Sequence, residues 1–221
     1  VLYQEKERIC RELGLQDSLQ HSLGNQVGIF RDWGDLPGAL GLCAEQRQIC
    51  EALGLKASMA WRLGSMAATY LDDDRPQEAL PLLREQERML EALGEKSGLI
   101  ACYANLGLYL SSQGQEEAMA YHRKEEALCR ELGDNASLAR CCGYQASIHA
   151  HRGDYREALR LYQEQEKFCI MLDRPDGLIS SLANQARIIA RTTNKYLKAE
   201  PLVLYAVTIA KQRRYGNVLH N

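Results

Sequence analysis

Residues 152–169 read RGDYREALRLYQEQEKFC, and this stretch decides the fold. Gly153-Asp154 is a turn followed by a helix N-cap, and Glu157, three residues after Asp154, gives a capping-box signature. An apolar stripe follows at helical spacing: Ala158, Leu161, Tyr162, Phe168 and Cys169. Gln165 interrupts it, an amide where the stripe wants a small or apolar side chain.

The stretch is one copy of a repeat. Leu-Gly recurs at Leu13-Gly14, Leu53-Gly54, Leu93-Gly94 and Leu132-Gly133, with Leu172-Asp173 in fifth place, at spacings of 40, 40, 39 and 40. Two further columns keep the register: Leu19, Met59, Leu99, Leu138, Leu178, and Ala39, Ala79, Ala118, Ala158, Ala199. Glycine after each Leu can take positive φ and close a helix. Asp173 tolerates that conformation less well, but Arg174-Pro175 stops a helix anyway. A second break carries Gly34-Asp35, Asp74-Arg75-Pro76, Gly114 and Gly153-Asp154. Eleven helices are predicted: a half repeat over 1–14, then pairs over 15–54, 55–94, 95–133, 134–173 and 174–214, with a tail over 215–221. Each full helix spans roughly 15–18 residues, about 25 Å. No stretch alternates with the period of a strand. Tandem pairs of this kind stack into an all-α, right-handed superhelical solenoid. The first helix of each pair lines a concave channel, and the second forms the outer wall.

Composition narrows the partners. The chain has 221 residues, 46% hydrophobic and 25% charged, with a formal net charge of −2. That charge gives no reason to expect nucleic acid or an anionic membrane. No apolar run is long enough to span a bilayer, and no secretory leader is visible. The chain starts at Val1, without Met and inside a repeat, so it is expected to be a piece of something longer. Its eight cysteines include no C-x-x-C pair. Cys10, Cys50, Leu90, Cys129 and Cys169 share one column, and Cys102 and Cys141 another, which reads as core. Equivalent residues of successive repeats lie about 8–10 Å apart, too far for a disulfide. Free, buried thiols fit a reducing, cytoplasmic setting.

The segment Ala146…His149…Gly153-Asp154-Tyr155-Arg156-Glu157-Ala158-Leu159…Tyr162 resembles the tetratricopeptide (TPR) consensus. Its small-residue column is Val27, Ala67, Gly107, Ala146, Ala186; its aromatic or apolar column is Phe30, Tyr70, Leu110, His149, Ile189. Asn105-Leu106-Gly107 is similar to the N-L-G motif of these repeats. The long period, against about 34 in the standard repeat, is similar to kinesin light chains and to Pins/LGN-type adaptors. Similar arrays form the sensor ends of some NTPase-regulated signalling proteins. Two departures stand out. The usual small residue of the second helix is replaced by Lys6, Gln46, Gln86, Glu125 and Gln165. The last pair has an insertion near Thr193-Asn194 and ends in Lys211-Gln212-Arg213-Arg214. With Gln26, Gln145 and Gln185, the polar column predicts an amide ladder between the helix layers; the alternative is a solvated layer edge.

No catalytic residue, metal site or cofactor is expected. There is no G-x-x-x-x-G-K and no H-E-x-x-H. His149 and His151 point to different faces, Cys142 and His149 fall in packing columns, and Asp72-Asp73-Asp74 reads as a solvated cap. The concave columns carry the function. One is Asn25, Ser65, Asn105, Tyr144, Asn184; beside it Gly24, Gly64, Ala104, Gly143, Ala183 are expected to leave space down to the backbone. The resemblance implies that Asn25, Asn105 and Asn184 clamp the main chain of a bound peptide and that Arg140 pairs with its acidic side chains. His21, Trp61 and Arg187 would flank the channel. The alternative has the asparagines bridging repeats. The expected function is a non-enzymatic scaffold gripping an extended, acidic protein segment, with no nucleic-acid or membrane partner. A second reading is the regulatory sensor of a larger signalling NTPase, which a P-loop before Val1 would favour. A third is end-to-end self-association through the apolar faces of helices 2–13 or 196–214.

Overall fold

The computed structural model describes residues 2–114, 116–193 and 196–219, the side chains of 4, 193, 196–198 and 213–219 excepted. The described residues form eleven helices and no strand: α1 (Leu2–Glu12), α2 (Gln16–Asp32), α3 (Leu36–Leu53), α4 (Lys56–Asp72), α5 (Pro76–Leu93), α6 (Lys96–Ser112), α7 (Glu117–Leu132), α8 (Asn135–His151), α9 (Tyr155–Met171), α10 (Pro175–Thr193) and α11 (Tyr196–Leu219). The chain is an all-α array of tandem helix pairs. The expected helix length fails at the ends: α10 has 19 residues, and α11 has 24 and runs past 214. The insertion expected near Thr193-Asn194 reaches residues outside the described ones, as do the side chains of Arg213 and Arg214.

One backbone device makes every described turn. Gly14, Gly54, Gly94, Gly133 and Asp173 at the first break, and Gly34, Asp74, Gly114 and Gly153 at the second, all have φ between 50° and 81°. The residue after the left-handed one then bonds back into the helix it leaves. Leu15 N–H donates to the Cys10 carbonyl at 2.9 Å, Asp134 to Cys129 at 2.9 Å and Arg174 to Cys169 at 2.8 Å. Asp173 therefore adopts the conformation that its sequence disfavours. Aspartates open the next helices: Asp35 accepts from Gly38 N–H at 2.9 Å and Asp134 from Ser137 N–H at 3.0 Å. The capping box at Asp154 is only half formed. Asp154 accepts from Glu157 N–H at 3.4 Å, but the Glu157 carboxylate turns to Arg160 at 2.6 Å instead of back to the cap.

Residues 1–113 and 114–221 form two compact units. In the first, α2, α4 and α6 touch one another across the array as well as their partners α3 and α5. In the second, α8 and α10 do the same, with α9 between them in sequence. Even-numbered helices thus crowd together and odd-numbered ones spread, which puts the concave side of each unit on the even-helix layer. Outer helices are linked by long side chains: Arg11 reaches Glu45, and Arg130 reaches Glu164 at 2.8 Å, both 34 residues apart. The alanine column lies at the crossings, with Ala39, Ala79 and Ala158 fully buried.

Consecutive pairs are stitched by two rungs. The first is a small donor to a backbone carbonyl 19 residues back: Ser22 to Tyr3 at 3.2 Å, Cys102 to Leu83 at 3.5 Å, Cys141 to His122 at 3.1 Å and Ser181 to Tyr162 at 2.7 Å. Cys102 and Cys141 are therefore hydrogen-bond donors at a position shared with serine, more than plain core filler. The second rung is an amide on a carboxylate, again 19 residues back. Gln26 to Glu7, Gln145 to Glu126 and Gln185 to Glu166 each measure 2.7 Å. The amides face acids, so they do not form a continuous ladder of their own.

The other polar column resolves differently. Lys6 is exposed, Gln46, Gln86 and Glu125 are buried, and Gln165 is half-buried. A β-carbon added at Gly24 would stand 2.6 Å from Gln46 Nε2, one at Gly64 2.9 Å from Gln86 Cδ, and one at Gly143 2.7 Å from Gln165 Nε2. The space expected beside these glycines is filled by the glutamine of the paired helix, joined at Gly24 by the Arg62 guanidinium. A bulky amide on the second helix requires bare backbone on the first. Gly64→Ala sets the clash with the Gln86 amide against alanine's better helix propensity, and should turn stabilising by about 0.5–1 kcal/mol when Gln86→Ala is already present, a coupling of about 1 kcal/mol. Urea unfolding of the four proteins of that cycle measures it; strictly additive effects would show that the two residues do not share the space.

Candidate functional site

The second unit contains a groove of 660 Å³ between α8 and α10, with α9 as its floor. Arg140, Gly143, Tyr144 and Ser147 come from α8, Tyr162 and Gln165 from α9, and Ser180 and Asn184 from α10. Asp173, Arg174 and Asp176 close one end at the α9–α10 turn. The groove mixes both charge signs with amide and hydroxyl groups, and Gln165 Oε1 on its floor has no hydrogen-bond partner.

The sequence-predicted residues divide. Arg140 and Asn184 come together in this groove. Arg187 lies outside it and lines two neighbouring hollows, one of 450 Å³ shared with Ala183, Ala199 and Val203, and one of 200 Å³ shared with His151 and Tyr155. His21, Asn25, Trp61 and Asn105 belong to the first unit, and none lines a described hollow. His21 faces Asp17 at 3.9 Å, Asn25 is exposed, Asn105 is half-buried and Trp61 is 42% exposed. Sequence reasoning missed Arg174, which was taken only as a helix stop. Asp72 and Asp73 are not free caps: Asp72 pairs with Arg31 at 2.6 Å and Asp73 with Arg75 at 3.5 Å. His149 packs as half-buried ring and pairs with Asp154 at 3.1 Å rather than with Cys142.

Arg140 also serves a buried acid. Its guanidinium donates to Glu125 Oε1 at 3.2 Å, and Glu125 is fully buried. On its other side His122, equally buried, places Nδ1 3.1 Å from Glu125 Oε2. The His122 ring lies 5.3 Å from that of Tyr144. Glu125 is the buried charged member of a column held elsewhere by exposed Lys6 and by glutamine, and it needs the cation that Arg140 supplies. In the sequence Glu125 stands out only as a member of the polar column; its grouping with His122, three residues before it on α7, is not visible there because their companion Cys141 sits on α8.

All eight cysteines are buried and free. Burial pushes the Cys43 thiol up to about 11 and the Cys129 and Cys142 thiols up to about 12, and it raises Cys50, Cys141 and Cys169 as well. Raised in this way, the thiols are opposite in character to the low-pKa thiolate of a nucleophilic cysteine. The unfolded chain would lose these protons near 9.0, while the folded one holds them to higher pH. Stability from this source is fully present below pH 9 and falls as pH rises toward 12. Urea midpoints should drop between pH 8 and about 10.5, and a thiol reagent should titrate the cysteines only in denaturant. Flat midpoints with rapid native-state labelling would contradict both burial and shift.

The chain matches no family model and no curated protein. Solved structures do match. BtubC (BKLC) from P. vanneervenii has a TM-score of 0.82 at 15% identity, over 96% of this chain and 88% of that one. A signal transduction ATPase with numerous domains, carrying a tetratricopeptide repeat sensor, from Pyrococcus horikoshii has a TM-score of 0.78 at 18% identity, over 96% of this chain and 32% of that one. A putative kinesin light chain with nearly identical TPR-like repeats from Podosopora anserina has a TM-score of 0.69 at 19% identity, over 88% and 96%. At these identities the likeness shows the fold alone, and that fold is a TPR-like helical repeat array.

Proposed function

We propose that this chain is a non-catalytic interaction scaffold that holds an extended, acidic segment of a partner protein. The observation that carries the reading is the 660 Å³ groove, where Arg140, Arg174 and Asn184 converge on a polar floor. Guanidinium groups suit carboxylates, and an asparagine amide offers a donor and an acceptor to a peptide main chain whatever its side chains. Among the described residues no hydrogen bond occupies the amides of Asn25, Asn105 or Asn184, which supports clamping over bridging between repeats. In the first unit Asn25, Asn105, His21 and Trp61 offer the same kind of surface, with Trp61 as an apolar anchor. Arg187 extends the cationic edge of the second. Raised thiols and the repeat fold speak for a scaffold rather than an enzyme. Nor is any described helix long and apolar enough to cross a membrane.

Likeness to the sensor-bearing ATPase supports a second reading, in which the same groove senses an intramolecular segment or upstream ligand within a larger protein. A third is end-to-end self-association, favoured by Leu204 and Tyr205 of α11, 58% and 47% exposed; sedimentation at rising concentration tests it.

The main reading is tested with a library of fluorescent decapeptides graded in acidity. Extended acidic peptides should bind best, and Arg174→Glu with Asn184→Ala should weaken them at least about tenfold. Arg140 is left in place because its loss would strand buried Glu125. Equal binding of acidic and neutral peptides, or binding untouched by the double substitution, would overturn the reading.

A further inference from the structure

Behind the groove, α7 and α8 assemble three donors that peptide binding does not use. His122 and Glu125 share a face of α7, and Cys141 comes from α8; all three are fully buried. One donor atom from each lies within 4.8 Å of the others. The internal hydrogen bonds leave the group unfinished. His122 Nδ1 is 3.1 Å from Glu125 Oε2, and the Cys141 thiol donates to the His122 carbonyl at 3.1 Å, but His122 Nε2 is buried without any partner. Nδ1, the ring nitrogen that faces Glu125, is the one that can share an ion with the carboxylate and the thiol, and Nε2 on the far side of the ring is left to carry the imidazole proton.

We infer that His122, Glu125 and Cys141 form a binding site for a borderline-soft divalent cation of the zinc class. Sulfur, imidazole nitrogen and a carboxylate oxygen are the zinc donor types, and three protein ligands leave a fourth position for water. A hard ion such as calcium or magnesium would want six or more oxygens, and here there is one carboxylate. Around a tetrahedral ion with bonds of about 2.0–2.3 Å, the donors stand roughly 3.3–3.8 Å apart, inside the 4.8 Å within which the three ligand atoms lie. The Cys141 S–H bond breaks and its proton goes to water, the imidazole keeps its single proton on Nε2, and the sulfur and Nδ1 lone pairs go to the metal; no electron changes hands. The Arg140 guanidinium, 3.2 Å from Glu125 Oε1, competes for the same carboxylate. Its side chain is 44% exposed, so it can swing toward the groove when a cation takes its place. Metal binding would then release Arg140 to the groove, although the site itself does not depend on the peptide reading.

Cobalt(II) reports the site directly. The reduced, metal-free full chain is titrated with Co²⁺ while the thiolate-to-cobalt charge-transfer band and the visible tetrahedral bands are followed. One cobalt per chain should bind with both signals and be displaced by Zn²⁺. Cys141→Ser should abolish the charge-transfer band, and its fold is safe because serine holds the equivalent rung at Ser22 and Ser181. Cys142→Ser should leave the band unchanged. Absence of the band in the unaltered chain overturns the inference whatever the variants do. Persistence in Cys141→Ser, or loss in Cys142→Ser alone, places the metal elsewhere and overturns it equally.

Discussion

A glutamine amide lying on bare glycine backbone sets the distance between the helices of a pair. Gln46 against Gly24, Gln86 against Gly64 and Gln165 against Gly143 are the same contact made three times. The family resemblance leads one to expect the small residue on the second helix; here the volumes have changed sides, and helix packing survives because only their sum matters. The exchange has a polar consequence. Gln46 finds the Gln20 carbonyl and accepts from Arg62 at 3.1 Å, whereas Gln86 Oε1 and Gln165 Oε1 are left unpaired. An unmet acceptor costs about 1–3 kcal/mol, so the column is a polar seam behind the concave face that costs stability.

That seam explains the charge distribution of the second unit. Where the column carries Glu125 in place of glutamine, a buried carboxylate appears with a guanidinium and an imidazole at hydrogen-bonding distance. Arg140 answers from the groove side and His122 from within. The groove's cation is thus anchored by a residue that no ligand in the groove would touch, and a change at the buried acid would alter the groove's charge. The rungs of Gln145 on Glu126 and Gln185 on Glu166 hold the surrounding helices in register while this happens.

The fold was legible because its signals are local and periodic. A left-handed residue every half period, an alanine at each crossing and a capping aspartate are visible in a single strand of text, and even Asp173 obeyed the register against its own preference. The site was less legible because its signals lie across helices. Gly143 reads as open space until the Gln165 amide is seen to fill it, and Cys141 reads as core until its thiol is found on a carbonyl 19 residues back. His122 stands in the column of Tyr3, Cys43, Leu83 and Tyr162, where it reads as one more packing side chain. Arg174 looked like punctuation because it precedes a proline, yet the turn it stops is the mouth of the groove. Columns reveal what each repeat shares; a binding site is made by what one repeat has alone.

Among the described residues, every packed pair of helices is adjacent or next but one along the chain. Such an architecture has low contact order and needs no distant segment before its first core can close. During synthesis, α1 to α3 can bury Cys10, Leu23 and Cys43 while the rest of the chain is still inside the ribosome. The unit over 1–113 can then be complete before α7 emerges, so the exposed apolar surface at any moment is one helix face wide. Vectorial assembly of this kind lets the thiols of Cys10 and Cys43 be covered by the first helices without waiting for the later ones.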